Sequence, residues 1–352
     1  MSIQTAYTSF SNFPQRSKLL EEKALGAICF IDNSSDSNAI EKIEMPAIQL
    51  HTSILDGLYG ACEIWLSNAS LGTEKALTNG YLGDISYRLN DDFLFGVITL
   101  PESVSSEIDG DISPLQFTTE SAYRQIFALM DEMNYPYIYR FWNYMEDING
   151  VSHGLERYRQ FNVGRKAAFT ACSNAVHIQL PAACALGVTD GPLSIAFLLG
   201  RQSPIAIENP RQISAYEYPE EYGPQTPSFS RATLLHSEQA TLLFISGTAS
   251  IVGHQTLHPT DVVAQTKETL INLEAVIAEA NRTIGEIKFD LMDVFLRVYV
   301  RHAADLSLIK NEMQRHLGSA MNAVFIQADI CRQELLLEIE ATAKCITESS
   351  SS

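Results

Sequence analysis

The stretch DICRQELLLEIEATA, residues 329–343, has the alternating pattern of a β-strand. One face of this strand is apolar and carries Leu335, Leu337, Ile339 and Ala341. The opposite face carries two carboxylates, Glu338 and Glu340. Because most carboxylates on strands are solvated, the spacing alone predicts a half-buried strand whose polar face points to water. The rest of the chain decides whether Glu338 departs from that pattern.

Size and charge limit the class of protein. The 352 residues are enough for two domains with ordinary cores, and the formal net charge is −18. So acidic a chain is not expected to bind nucleic acid or an anionic membrane. We find no apolar run of membrane-spanning length, no secretory signal pattern and no paired cysteine motif. These features predict a cytoplasmic protein with reduced thiols.

The order of predicted elements occurs twice. Each half reads as a strand, a helix, a strand, a second helix and two closing strands; the first helix is TTESAYRQIFALMDEM in one half and PTDVVAQTKETLINLEAVIAEA in the other. This order predicts an α+β fold of two similar units, with mixed sheets and helices packed on one face. The first forty residues look loop-rich.

A segment rich in proline, tyrosine and arginine separates the two units. Residues 206–232 follow neither the helical nor the strand period, and they hold aromatic residues that a flexible linker lacks. Long ordered loops inside compact proteins are usually functional, so we interpret the segment as a binding loop. The expected domains are residues 1–205, the 206–232 connection, residues 233–345 and a disordered tail, 346–352.

The second half resembles the RidA/YjgF/UK114 fold, also called chorismate mutase-like. The resemblance rests on FISGTASI, VAQTKETLINLEAVI, VFLRVYVRHAADL and LLLEIEATA in that order. RidA proteins are trimeric imine deaminases that hold a substrate carboxylate with an arginine on the penultimate strand. The matching position here is Ala323. The resemblance therefore implies the fold without simple deaminase activity.

A closer resemblance covers most of the chain. RFWNYMEDIN, GLERYRQFNVGRKAAF, ENPRQISAYEYPEEYGPQTPSFSRA, SGTASIVGH and CRQELLLEIEATA together are similar to the chorismatase family. That family implies release of pyruvate from chorismate with no cofactor, through protonation of the enolpyruvyl methylene. The implied ring product is 3-hydroxybenzoate, with 4-hydroxybenzoate as a possible companion. The alternative within the family is hydrolysis to a dihydroxycyclohexadiene carboxylate.

The same resemblance assigns roles to two residues near the C-terminus. Glu338 matches the proton-donating carboxylate, which must stay protonated near neutral pH and so must be poorly solvated. Cys331 matches the cysteine of the form that makes 3-hydroxybenzoate, where it shapes the pocket or assists loss of ring protons. Glu340 is left as either a supporting or a surface residue.

Two substrate carboxylates require cationic and phenolic partners, preferably forked guanidinium groups. Tyr158 and Arg165 lie two turns apart on one predicted helix and can face a pocket together. Arg297 alternates with two aromatic residues on a core strand. The candidate binding residues are Tyr158, Arg165, Arg211, Tyr216, Arg231 and Arg297.

Other interpretations stay open. A RidA-like protein that binds a small carboxylate without chemistry is the alternative from another class. His254 and His258 have no third ligand in sight, so no metal site is expected. The RidA likeness suggests a homotrimer, whereas a duplicated chain can complete its own cleft as a monomer.

Overall fold

The computed structural model describes residues 3–9, 12–32, 45–57, 61–67, 77–102, 112–172, 179–236, 240–286 and 288–346. The helices are α1 (Phe13–Leu19), α2 (Pro114–Met133), α3 (Arg157–Cys172), α4 (Val262–Ile284) and α5 (Leu306–Leu317). The strands are β1 (Ile3–Thr8), β2 (Ala24–Ile31), β3 (Ala47–His51), β4 (Ile54–Asp56), β5 (Cys62–Ser67), β6 (Thr78–Leu82), β7 (Ile85–Leu89), β8 (Phe93–Leu100), β9 (Tyr137–Glu146), β10 (Val151–Ser152), β11 (Leu155–Glu156), β12 (Ala182–Val188), β13 (Leu193–Gly200), β14 (Ile205–Ile207), β15 (Ala232–His236), β16 (Ala240–Thr248), β17 (Ile251–Val252), β18 (Gln255–Thr256), β19 (Phe295–Val300), β20 (Asn322–Gln327), β21 (Asp329–Ile330) and β22 (Leu337–Ile346).

Two seven-stranded mixed sheets form the architecture. Their orders are β21-β12-β9-β13-β8-β7-β6 and β14-β15-β16-β22-β19-β20-β4. The inner four strands, β12-β9-β13-β8 and β20-β19-β22-β16, follow one scheme: the first pair of each is parallel and the other pairs are antiparallel. Helices α2 and α3 pack together on the first sheet, and α4 and α5 on the second. The predicted α+β class with two similar units is confirmed.

Each sheet takes an edge strand from the other half of the chain. Strand β21 pairs with β12 of the first sheet, and β4 pairs with β20 of the second. Strands of two or three residues are too short to show a period in the sequence, so the predicted domain boundaries did not include these exchanges.

The N-terminal region is more ordered than its composition predicted. Strands β1, β5, β2 and β3 form a separate four-stranded sheet. Its apolar face joins both large sheets in a common core, where Trp65 lies with its ring centroid 5.2 Å from Trp142 and 6.0 Å from Phe244. The prediction of loops over the first forty residues is therefore wrong for residues 3–8, 13–19 and 24–31, which form β1, α1 and β2.

The first long helix of each unit carries local signals at both ends. Ser113 caps α2 by accepting a hydrogen bond from Gln116, and the helix ends at Asn134 in the left-handed region. Asp261 caps α4 in the same way, and Gly285 ends it with a φ of 82°. In the described part of the chain, none of the helices is both long enough and apolar enough to span a membrane.

The two large sheets meet along β12 and the β15–β16 pair. The backbone N–H of Ala182 donates to Thr233, and that of Ala183 donates to Ser246. These bonds hold the sheets face to face on the sides that the helices leave open. Strand β22 runs to Ile346, so the first residue of the predicted tail is in a strand, and residues 347–352 lie outside the described residues.

Candidate active site

A cavity of about 690 Å³ opens between the two large sheets. Its floor is formed by β12, β16 and β22, where small residues such as Ala183, Ala185 and Gly247 leave space. Its sides are formed by the start of α3 and by the Pro/Tyr-rich segment 206–232. The loop that the sequence singled out is therefore part of the cavity wall.

Glu338 lies on β22 at the bottom of this cavity and is only 4% exposed. Strand β16, which pairs with β22 in the same sheet, bulges between Ile245 and Thr248, and this brings Gly247 against the glutamate. A Cβ atom at position 247 would lie 1.9 Å from Glu338 Oε1, so a larger residue there would displace the Glu338 carboxyl. Among the described residues, that oxygen has no hydrogen-bond partner. The prediction from spacing that this strand face is solvated is wrong, because the first sheet covers the face.

The protonation state of Glu338 follows from this environment. Burial raises its pKa to about 8, and the negative charge of Glu340 acts in the same direction. Arg140 and Arg231 oppose the shift without cancelling it. At neutral pH the Glu338 carboxyl is therefore mostly protonated and able to donate a proton into the cavity.

Glu340 is equally buried but has the opposite character. It pairs with Arg140, lies 2.6 Å from Arg297 Nη1 and accepts a hydrogen bond of 3.1 Å from the Tyr299 hydroxyl. Burial would raise its pKa, but Arg297 and Arg140 outweigh burial and the pKa is lowered. Two neighbouring carboxyl groups whose pKa values are shifted in opposite directions are typical of sites that perform acid–base catalysis.

Two buried guanidinium groups in the cavity wall form no salt bridge with a described residue, although Arg231 lies near the Glu208 carboxyl. Arg165, 2% exposed, donates to Asn162, and Arg231, 5% exposed, donates to the Tyr218 hydroxyl. In the described part of the chain neither has a carboxylate within 4.0 Å, and the Nε of each has no hydrogen-bond acceptor. A buried guanidinium group whose hydrogen-bonding capacity is not filled is costly, so this wall is suited to an anionic ligand.

The sequence interpretation missed a third cavity arginine, Arg332. Its guanidinium carbon lies 4.1 Å from the ring centroid of Tyr222 and 5.2 Å from that of Tyr218. One of its nitrogens, Nη2, is buried without a partner in the described residues. The sequence feature that could have identified Arg332 was its position directly after Cys331, combined with the tyrosines of the loop. The cavity thus has three arginines available to anions.

Tyr158 and Cys331 also line the cavity. Burial raises the pKa of the Cys331 thiol to about 12, with Glu338 adding to the shift. Burial, and then Cys331, raise the pKa of the Tyr158 phenol. Both groups are therefore neutral hydrogen-bonding groups near neutral pH, and Cys331 is not a thiolate nucleophile.

Three predicted binding residues lie away from the cavity wall. Arg297 lies on β19 directly beside Glu340, outside the cavity lining, where Glu340 and Glu63 neutralise it. Arg211 pairs with Glu268 and Asn272 on α4. Tyr216 is 41% exposed on the outer side of the loop. Direct substrate contact by these three has no geometric support, whereas Tyr158, Arg165 and Arg231 lie where contact is possible.

One of the two histidines of the sequence analysis contacts the cavity loop. His254 Nδ1 lies 3.1 Å from the Tyr222 hydroxyl and so supports the cavity loop. Within the described ranges, no three His, Cys, Asp or Glu residues are grouped so that they could hold a metal ion.

The chain is similar to several known proteins. A family model described as "Chorismatase FkbO/Hyg5-like, N-terminal" matches residues 63–199. A 3-hydroxybenzoate synthase of Streptomyces hygroscopicus is 38% identical over 231 residues, covering 63% of this chain and 68% of that protein. A chorismatase of the same organism is 32% identical over 345 residues, covering 97% and 95%. A crystal structure of a chorismatase matches with a TM-score of 0.79 at 31% identity, covering 97% of this chain and 98% of that one.

Proposed function

Because this chain belongs to the chorismatase family, we propose that it converts chorismate to pyruvate and 3-hydroxybenzoate. The observation that carries the proposal is the protonated, unpartnered carboxyl of Glu338, aimed into a cavity that arginines line. A carboxylic acid in that state is suited to protonating a carbon–carbon double bond rather than to binding an anion.

The first chemical step is proton transfer from Glu338. The proton goes to the methylene carbon of the enolpyruvyl ether, which leaves an oxocarbenium-like centre at the adjacent carbon. The C4 hydroxyl of the ring attacks that centre and returns a proton to Glu338, which closes a cyclic ketal. Loss of the ring proton at C3 with cleavage of the C4–O bond makes the ring aromatic. The remaining hemiketal then breaks at its bond to the C3 oxygen, which releases pyruvate, and the proton lost from C3 ends on the phenol oxygen of 3-hydroxybenzoate. Pyruvate and hydroxybenzoate together contain the atoms of chorismate, so the conversion consumes no oxidant or reductant. Hydrolysis to the diene diol would instead add one water.

The arginines account for binding of the two carboxylates of chorismate. Arg165 on α3 and Arg231 on the loop reach the cavity from different sides, as two separated anionic groups require. Arg332 supplies a third positive charge near the loop tyrosines. Tyr158 is available to hold the ring hydroxyl or the ether oxygen.

Cys331 supports the aromatic product over the diol. Its neutral thiol borders the same space as Glu338 and takes room that a nucleophilic water would otherwise occupy. The relative named 3-hydroxybenzoate synthase is 38% identical to this chain. We therefore assign 3-hydroxybenzoate as the main ring product, with 4-hydroxybenzoate as a side product.

The test is direct. The purified protein is mixed with chorismate, pyruvate is followed with lactate dehydrogenase and the ring products are separated by chromatography. Pyruvate with 3-hydroxybenzoate is the expected result. Pyruvate with the diene diol would move the chain to the hydrolytic branch. Chorismate binding without pyruvate release would favour the carboxylate-binding protein and reject the enzyme.

A further inference from the structure

Glu340 belongs to a buried cluster of four charged side chains. Arg297 lies 2.5 Å from Glu63 and 2.6 Å from Glu340, and Arg140 pairs with Glu340 from the other side. All four side chains are at most 7% exposed. They come from four different strands, β5, β9, β19 and β22, so the cluster joins the N-terminal sheet to both large sheets. Two positive and two negative charges make it neutral as a whole.

Glu338 lies two residues before Glu340, on the same face of the same strand. Glu340 accepts hydrogen bonds from Arg140, Arg297 and Tyr299. The Oε1 of Glu338 accepts none from the described residues. An anion at position 338 would therefore be desolvated and would also face a fixed like charge, whereas the neutral acid avoids both costs.

We propose that Glu340 is a positioning residue for the reaction proposed above: its fixed negative charge keeps the neighbouring Glu338 carboxyl protonated. Arg140 and Arg297 hold Glu340 in the ionised state, so the two carboxyl groups cannot exchange roles. The inference rests on Glu338 being the proton donor of the proposed function. Glu340 itself does not line the cavity, so it acts through Glu338 and not on the substrate directly.

The other groups that face Glu338 do not supply this negative charge. These groups are Arg140 on β9, Cys184 on β12, Tyr299 on β19, Tyr158 on α3, Arg231 in the loop before β15 and Cys331 in the stretch before β22. The arginines are positive, and the buried thiols and phenols have raised pKa values and stay neutral around pH 8. Glu156 and Glu334 also line the cavity but are not among the charges that shift the Glu338 pKa, so Glu340 is the anion that acts on it.

The experiment measures the Glu338 carboxyl directly. Infrared spectra over a pH series record the C=O stretch of a protonated carboxylic acid, and loss of the band in Glu338→Gln assigns it. In the unmodified protein the band should disappear with a midpoint near pH 8. In Glu340→Gln the midpoint should fall by roughly one pH unit or more. The pH above which pyruvate release declines should fall by the same amount.

Glu63→Gln is the matched control. It removes a buried glutamate that pairs with the same Arg297 but is not among the charges that shift the Glu338 pKa. The Glu338 midpoint should remain near pH 8 in this variant, whereas a purely structural role for the cluster predicts similar behaviour of both variants. If Glu340→Gln does not fold, the Glu340→Gln/Arg297→Met double variant removes one charge of each sign and is measured in its place.

The outcomes separate the inference from the proposed function. An unchanged Glu338 midpoint in the Glu340 variants would overturn the inference even if the unmodified protein releases pyruvate. A lowered midpoint in a protein that releases no pyruvate from chorismate would support the carboxyl pair and reject the proposed function.

Discussion

At the scale of single residues, two glutamates on one strand face differ because their partners differ. The sequence pattern placed Glu338 and Glu340 on the same face, and the family resemblance singled out Glu338. The pattern could not show that a second sheet covers that face. It also could not show that Glu63, on a strand of the separate N-terminal sheet, neutralises Arg297. Alternation defines a face, but long-range packing decides what lies against it.

The protonation of Glu338 predicts a pH dependence. A general acid works only while protonated, and the protonated fraction falls as pH rises through about 8. We expect kcat to be nearly constant below that pH and to fall about tenfold per pH unit above it. Pyruvate release measured across the pH series, with circular dichroism to verify folding, tests this. A rate that rises through pH 8 would require the ionised form instead.

The unpaired cavity arginines predict a binding defect. Arg165→Met removes a guanidinium that has no acidic partner among the described residues, so the KM for chorismate should rise by roughly tenfold or more. Arg211→Met is the control, because Arg211 pairs with α4 outside the cavity. Steady-state kinetics of both variants test this prediction. Equal KM values for chorismate in the Arg165 and Arg211 variants would show that Arg165 does not bind the substrate.

At the scale of elements, the long amphipathic helices and core strands were predictable, and the short pieces were not. Helices α2 and α4 have caps and apolar stripes that the sequence displays. Strands β4 and β21 are too short for periodicity, although they close the two sheets. The Pro/Tyr-rich segment was recognised by composition alone, which identified the loop but not which of its side chains face inward.

The loop predicts energetic coupling between Tyr222 and Arg332. Because the tyrosine ring lies over the guanidinium, Tyr222→Ala should release Arg332 and weaken chorismate binding much as Arg332→Met does. The double variant should be little worse than either single variant, with a coupling free energy of about 1 kcal/mol in a double-mutant cycle. Additive losses in binding free energy would show that the two residues act independently.

At the scale of the whole molecule, the N-terminal sheet is a structural part of the enzyme rather than an appendage. It shares a core with both large sheets and contributes Glu63 to the buried charge cluster. We propose that the two similar units of one chain form the walls of the cleft together, in keeping with a protein that works as a monomer.

Glu63→Gln should therefore lower stability at a distance from the cavity. Removing one partner of a buried ion pair leaves Arg297 with less compensation, and the free energy of unfolding should fall by about 3 kcal/mol. Denaturant unfolding of the variant and the unmodified protein measures the difference. A change below about 0.5 kcal/mol would show that the N-terminal sheet is not held by this contact.

The central claim is that Glu338 donates the proton that releases pyruvate. Glu338→Gln keeps the shape of the side chain and removes the acidic proton, so the most direct test compares pyruvate release from bound chorismate by this variant and by the unmodified protein. We expect chorismate binding within a few-fold of the unmodified protein and a rate at least about a hundredfold lower. Full pyruvate release by the variant would contradict the account.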